Sequence, residues 1–377
     1  MAIMFLALLV SAVVTLLIVR FASKLTRLGD HDFSGPQKFH TTAVPRVGGI
    51  GILAGLVIAL VLGSERLVGD DAGLALWLMI CALPAFAFGL CEDLTKKVSA
   101  RQRLLATAAS AAMAFWLIEA QLRHTAIPGL DWFVSFTLGA LLVTVFAVSG
   151  IANAVNIIDG FNGLASMCVM IMLAGLAYVA FQVGDDFIGL LALAGIGAIL
   201  GFFIWNFPTG LIFLGDGGAY FLGFLVAELS ILLLVRNPTV SPIFPLLLCI
   251  YPVFETVFSM YRRRFVRDRP SHMPDGIHLH SLIYRRIMRW AVGPTTAKAM
   301  ARRNSMTSPY LWLLCISSVV PAVLFWDRTP LLVTFLVVFA VSYVALYIRI
   351  VRFKSPRWLR FGRSRTLWPE QIQDRKA

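Results

Sequence analysis

Eleven apolar runs divide this chain, each close to the roughly 17–25 residues that a helix needs to cross a bilayer. They fall at roughly 3–20, 47–63, 74–90, 104–119, 132–150, 164–182, 188–206, 211–235, 243–261, 309–326 and 330–350. A backbone in hydrocarbon must satisfy its own hydrogen bonds, so only helices and closed barrels span membranes. The runs lack the apolar–polar alternation of barrel strands. The expected fold is therefore all-α, a polytopic integral membrane protein with about eleven transmembrane helices. At 59% apolar residues and a mean hydropathy of +0.81, the chain is too apolar for a water-soluble domain. One membrane domain is expected over residues 1–350, with a basic tail over 351–377. The first run follows no basic segment and no clear cleavage site, so it reads as a retained helix. No soluble-type repeat and no clear inverted repeat is present.

The net charge of +13 would suggest nucleic acid in a soluble chain. Here it reads as topology, together with attraction to membrane lipids and substrate phosphates, and nucleic acid is not expected as a partner. Of the 33 Lys and Arg, 29 lie in the segments 20–46, 91–103, 261–308 and 349–377. The other four, Arg66, Arg123, Arg236 and Arg328, sit one each in the alternate loops, which carry acids such as Asp70, Asp131 and Asp185. The positive-inside rule then puts the N-terminus outside, in the periplasm, and the C-terminus in the cytoplasm. The five cysteines lie in or beside apolar runs without metal-ligand spacing and read as small packing residues.

The same parity puts every unusual polar motif on the cytoplasmic face, in the segments 21–46, 91–103, 150–163, 206–216 and 261–308. Residues 153–167 read N-A-V-N-I-I-D-G-F-N-G-L-A-S-M. Asn156, Asp159 and Asn162 recur every third position, on roughly one side of a helical turn. Gly160 and Gly163 interrupt that helix and let backbone amides open toward a ligand. Lys38, His40 and Arg46 precede the second run and suit phosphates. Glu92 and Asp93 end the third run, with Lys96 one turn on, a pattern that suits a base, a nucleophile or a metal ligand. Asp216 opens an apolar run among three glycines, where a carboxylate is costly unless it meets a cation. Mg²⁺ is the expected ion, with Mn²⁺ as an alternative, because magnesium takes one or two carboxylates plus substrate phosphates. His278 and His280, with Arg285 and Arg286, suit a diphosphate, and H-x-H without a further ligand is weak evidence for zinc. Two acids lie within spans. Glu255 borders the site, and Glu228 reads as a helix–helix hydrogen bond. Each motif alone also has a structural reading, as a polar helix contact, a charged helix end, a packing aromatic or a basic surface helix.

Together the residues resemble a known family. N-A-V-N-I-I-D-G-F-N-G-L-A, the acidic pair with Lys96, F-L-G-D-G-G at 213–218 and H-L-H at 278–280 are similar to motifs of the polyprenyl-phosphate N-acetylhexosamine-1-phosphate transferases. The resemblance covers roughly residues 35–290, in the family's order. It implies transfer of a sugar-1-phosphate from a UDP-sugar to undecaprenyl phosphate, with UMP released. That is the first membrane step of a cell-surface polysaccharide, in a bacterial inner membrane. Asp216 would hold Mg²⁺, helped by Asp159. Asp93, with Glu92 beside it, would orient or deprotonate the lipid phosphate. Asn156, Asn162, Asn206 and Phe213 would line the nucleotide pocket, with Phe213 stacked on uracil. Lys38, Lys96, His278, His280 and Arg285 would meet phosphates or the sugar. An oligomer is compatible with this reading. The chain departs from the family pattern at Glu92, Asn162 and Ser281. Against the transferase stand an inactive relative and a transporter or flippase without chemistry. A transporter calls for polar residues near the membrane midplane, whereas here they gather at the inner face.

Overall fold

The computed structural model describes residues 1–22, 44–63, 71–266, 278–288 and 297–352. Among them the regular elements are helical: α1 Ala2–Ala22, α2 Gly48–Leu62, α3 Asp71–Thr95, α4 Ala100–Leu117, α5 Pro128–Val134, α6 Thr137–Ile158, α7 Leu164–Gln182, α8 Asp186–Asn206 and α9 Gly215–Arg236. There follow α10 Phe244–Leu248, α11 Ile250–Tyr261, the single turn α12 Leu279–Leu282, α13 Ala297–Leu324 and α14 Thr329–Val351. π-Helical turns continue α11 over Arg262–Val266 and α12 over Ile283–Met288. Lys38, His40, Asp70 and the tail beyond residue 352 lie outside the described residues.

Eight described helices are long and apolar enough to cross a bilayer: α1, α3, α6, α7, α8, α9, α13 and α14. The other three expected spans fall on helices of a different kind. α2 has 15 residues, α4 opens with Arg101 and Arg103, and the run 243–261 is broken at Cys249 into α10 and α11. Boundaries shift where polar residues remain compatible with helix. α6 runs through Asn153 and Asn156 to Ile158, so most of the expected loop 150–163 is helix. α4 starts three residues before its arginine at 103 because Ser99 and Gln102 form a capping box.

α9 is the axis of the bundle. It is buried without interruption from Gly215 to Leu233, the pattern of a helix covered on all sides. α3 and α6 pack along it, α2 crosses its first turn, and α1, α8 and α7 form the next layer. Close approach comes from glycines. A Cβ on Gly89 would stand 2.6 Å from the Gly217 backbone, and one on Gly49 would stand 2.5 Å from Gly218. Small residues that let backbones touch are how membrane helices associate without a hydrophobic driving force. α3 and α9 run antiparallel and are tied at both ends. Asp93 meets the start of α9, and Arg236 at its end pairs with Asp71 and Asp185. Asp71 and Asp185 therefore share one end of the molecule, and the polar motifs share the other. Glu228 corrects one expectation. It is fully buried in α9, and neither of its carboxyl oxygens has a hydrogen-bond partner among the described residues.

Candidate active site

Asp216 sits in the first turn of α9, at the helix end that favours negative charge. Its three glycines each have a separate reason. Gly215 has φ 77°, a left-handed backbone, and a Cβ there would meet the Arg46 carbonyl and stand 2.6 Å from Asp93 Oδ2. Gly217 and Gly218 admit α3 and α2. Asp93 then closes over the helix start: its Oδ1 accepts the Asp216 N–H at 3.0 Å and its Oδ2 accepts the Gly217 N–H at 2.9 Å. The extended segment before α2 is zipped to the same place. Phe213 N–H donates to Pro45 O, Gly48 N–H to Phe213 O and Gly49 N–H to Leu214 O. Arg46 is thereby held 3.8 Å from Asp216 Oδ1 and 4.0 Å from Asp93 Oδ1. Arg103, from α4, forms an ion pair with Asp216 Oδ2 and lies over the Tyr220 ring. Asn156 Nδ2 donates to Asp216 Oδ1 at 3.2 Å.

Of these groups, Arg46, Asn156 and Asp216 open onto a cavity of about 240 Å³. Its wall combines Arg46, Asn156, Asp159, Phe161 and Asp216 with His278, His280 and Ser281. Asp159 follows the last residue of α6, and burial pushes its carboxyl up to about 7 while Arg46 pulls the other way. The two histidine rings stack at 5.0 Å, and His280 also meets the Phe161 ring edge-on at 5.6 Å. Among the described residues no three His, Cys, Asp or Glu are set to take a metal ion. Asp159, Asp216 and Asn156 instead offer hard oxygen donors on one cavity, the donor set that fits a magnesium-like ion completed by substrate phosphates and water.

Several expected site residues are placed differently. Glu92 Oε2 accepts the Val98 N–H at 2.9 Å and so ties the α3–α4 turn, away from Asp216. Lys96 takes a left-handed backbone (φ 57°) in that turn and is exposed. Asn206 Oδ1 accepts the Gly163 N–H at 2.6 Å, and its Nδ2 donates to Ile212 O at 2.7 Å, linking the loops before α7 and α9. Asn162 is bound to Pro208 O and, through its backbone, to Asn304 and Ser308 of α13. Neither asparagine lines the cavity. Phe213 is half-buried beside Arg46, and Arg285 is exposed on the π turn after α12. Arg103 was not distinguishable in the sequence from other topology-setting arginines. A basic residue directly before an apolar run was its only signal.

Over 284 residues the chain is 31% identical to a probable undecaprenyl-phosphate N-acetylglucosaminyl 1-phosphate transferase of Bacillus subtilis, covering 73% of this chain and 75% of that one. Residues 75–234 match the family described as glycosyl transferase family 4. The chain belongs to that family. An undecaprenyl-phosphate alpha-N-acetylglucosaminyl 1-phosphate transferase of Thermotoga maritima is 29% identical, over 67% of this chain and 72% of its own. A phospho-N-acetylmuramoyl-pentapeptide-transferase of a Geobacillus species is 28% identical over 52% and 64%. The glycosyl transferase family 4 match starts in α3 and ends in α9. It therefore contains Asp93, Arg103, Asn156, Asp159 and Asp216, but neither Arg46 nor the two histidines.

Proposed function

We propose that this chain transfers a sugar-1-phosphate, with an N-acetylhexosamine as the expected sugar, from a UDP-sugar to undecaprenyl phosphate. The observation that carries the reading is the convergence of Arg46, Asp159, Asp216, His278 and His280, from four separate stretches, on one cavity. An oxygen of the lipid phosphate attacks the phosphorus that bears the sugar. The bond from that phosphorus to the oxygen bridging the donor's two phosphates breaks, and UMP leaves with the bridging oxygen. No covalent bond to the protein is required, so alignment and charge neutralisation are what the residues must supply. Arg46, Arg103, His278 and His280 surround the phosphates. Asn156 and the half-buried Phe213 face the nucleotide, and Asn162 and Asn206 hold the loops that shape its pocket. Asp93 accepts one α9 amide on each oxygen and so fixes Asp216 beside it, and its remaining lone pairs leave it able to orient or deprotonate the lipid phosphate. Asp216 and Asp159 would hold Mg²⁺ or Mn²⁺, whose charge offsets that of the diphosphate. The eleven crossings, the inner-membrane location and the cytoplasmic face of the site belong to the same reading, supported by the charge asymmetry of the loops.

Purified protein given undecaprenyl phosphate, a panel of UDP-sugars and Mg²⁺ should release UMP only when lipid, cation and one donor are all present. UMP release without the lipid would point to hydrolysis. No release with any donor, from folded protein that still binds UDP-sugars, would favour the inactive relative.

A further inference from the structure

Glu255 lies behind the histidines, 1% exposed, on α11. One of its oxygens, Oε1, accepts the Leu279 N–H at 2.7 Å, from the residue between the two histidines. The same oxygen lies 3.5 Å from His278 Nδ1 and 3.6 Å from His280 Nδ1. Its other oxygen, Oε2, accepts the Tyr343 O–H at 2.7 Å. Tyr343 belongs to α14, some 60 residues beyond the histidines, and packs edge-on against Phe254 and Phe258 of α11. One turn along α14, Tyr347 bonds Arg262. The last described helix thus buttresses a carboxylate that lies beside the Nδ1 edges of two parallel rings, set 7° apart in plane.

We propose that Glu255, held by Tyr343, is a positioning residue that keeps the protons of His278 and His280 on Nδ1. A ring nitrogen that lies beside a buried carboxylate carries its proton there, and this fixes the role of the other nitrogen. Nε2 is then the atom of each ring that faces the cavity. For His280 the geometry shows this directly, because a Cβ on Gly160, a cavity residue, would stand 3.5 Å from its Nε2. Any proton the pair gives to a phosphate oxygen, or takes from one, passes through Nε2. The shared carboxylate also sets both rings at one height, so that they meet adjacent oxygens of a diphosphate. The inference rests on the phosphate-binding role given to the histidines above and adds the group that orients them.

The test is ¹⁵N NMR of protein labelled at its six histidines, with His278→Asn and His280→Asn spectra to assign the two rings. In the wild type both should carry a proton on Nδ1. In Glu255→Gln, which keeps the shape but removes the charge and turns one acceptor oxygen into an amide donor, the proton should move toward Nε2, the form that free histidine favours. With the donor that the wild type turns over, kcat/KM should fall by roughly 10- to 100-fold, the range for removing a carboxylate behind a histidine. Tyr343→Phe keeps the carboxylate. It should retain the Nδ1 proton and lose roughly tenfold in kcat/KM, the low end for one hydrogen bond to a charged group. Wild-type rings protonated on Nε2 alone would overturn the proposal, and that spectrum needs no variant to fold. So would unchanged spectra and full activity in Glu255→Gln. Nδ1 protons in a wild type that transfers no sugar would instead support the positioning role and count against the transferase reading.

Discussion

At Asp216 the proposed cation must share a carboxylate that already meets Arg46, Arg103 and Asn156. That crowding makes two variants informative. Asp216→Asn keeps the shape and the Asn156 contact but removes the charge that two arginines and the cation need. Turnover should drop by at least ~10²-fold, the scale for losing a preorganised electrostatic group. The fold should survive, because the Arg46 side chain is 30% exposed and can turn to water. UMP release and thermal unfolding measured on one preparation check both halves. Substantial Mg²⁺-dependent activity in that variant would overturn the metal assignment. Arg103→Met should act in two directions. Loss of a cation beside the phosphates should lower turnover by roughly 10²-fold. Removal of a competing positive charge from Asp216 should tighten divalent binding, read as a lower half-saturating Mn²⁺ concentration by paramagnetic resonance. Weaker Mn²⁺ binding in Arg103→Met would show that the arginine supports the cation site rather than competing for it.

The elements show why motif reading reached some residues and missed others. Asn156, Asp159 and Asp216 were legible because a polar residue at the end of an apolar run is costly without a purpose, and His278 and His280 because they stand beside arginines in a long basic loop. The same signal cannot separate a side chain that faces a ligand from one that holds a loop. Asn162 and Asn206 look like ligands in sequence, yet their amides pair with backbone groups of neighbouring loops. Arg103 and Glu255 gave a weak signal because their partners are more than 20 residues away. The helix ends drifted for a similar reason, since hydropathy fades before hydrogen bonding does at α4 and α6. The glycines around Asp216 were legible as a cluster but not as three separate contacts. Gly89→Ala tests the packing directly. Its Cβ would meet Gly217 backbone at 2.6 Å, so α3 and α9 must part and Asp93 must leave the α9 amides. A cost of about 1–3 kcal/mol is expected from such overpacking, with a lower unfolding midpoint and loss of transfer. Gly150→Ala is the control. Nothing lies within 4 Å of its Cβ position on α6, so stability should hold or rise by up to about 1 kcal/mol. Equal effects of the two substitutions would rule out close backbone packing as the reason for glycine at 89.

The whole molecule sorts its polar groups to two ends, joined by the antiparallel pair α3 and α9. One end holds Asp93, Asp216 and the cavity, and the other holds Asp71, Asp185 and Arg236. The proposed reading puts the first end in the cytoplasm, on the strength of loop charge, and a lipid phosphate would then reach the cavity without its tail leaving the bilayer. The assignment can be checked without any enzyme assay. Of the five cysteines, Cys81, Cys168, Cys249 and Cys315 are buried and Cys91 is exposed, so Cys91→Ser gives a background silent to thiol reagents. Lys97→Cys marks the turn after α3, on the cavity end. His124→Cys marks the opposite end, at a side chain 67% exposed. A membrane-impermeant maleimide should label Lys97→Cys in inside-out vesicles and not in intact spheroplasts, and His124→Cys in the reverse pattern. Labelling of both from one side would mean that the segment between them, α4, does not cross, and the count of eleven spans would fall. A clean exchange of the two patterns would turn the molecule over. The cavity would then face the periplasm, away from the pool of UDP-sugars, and the proposed reaction would lose its donor.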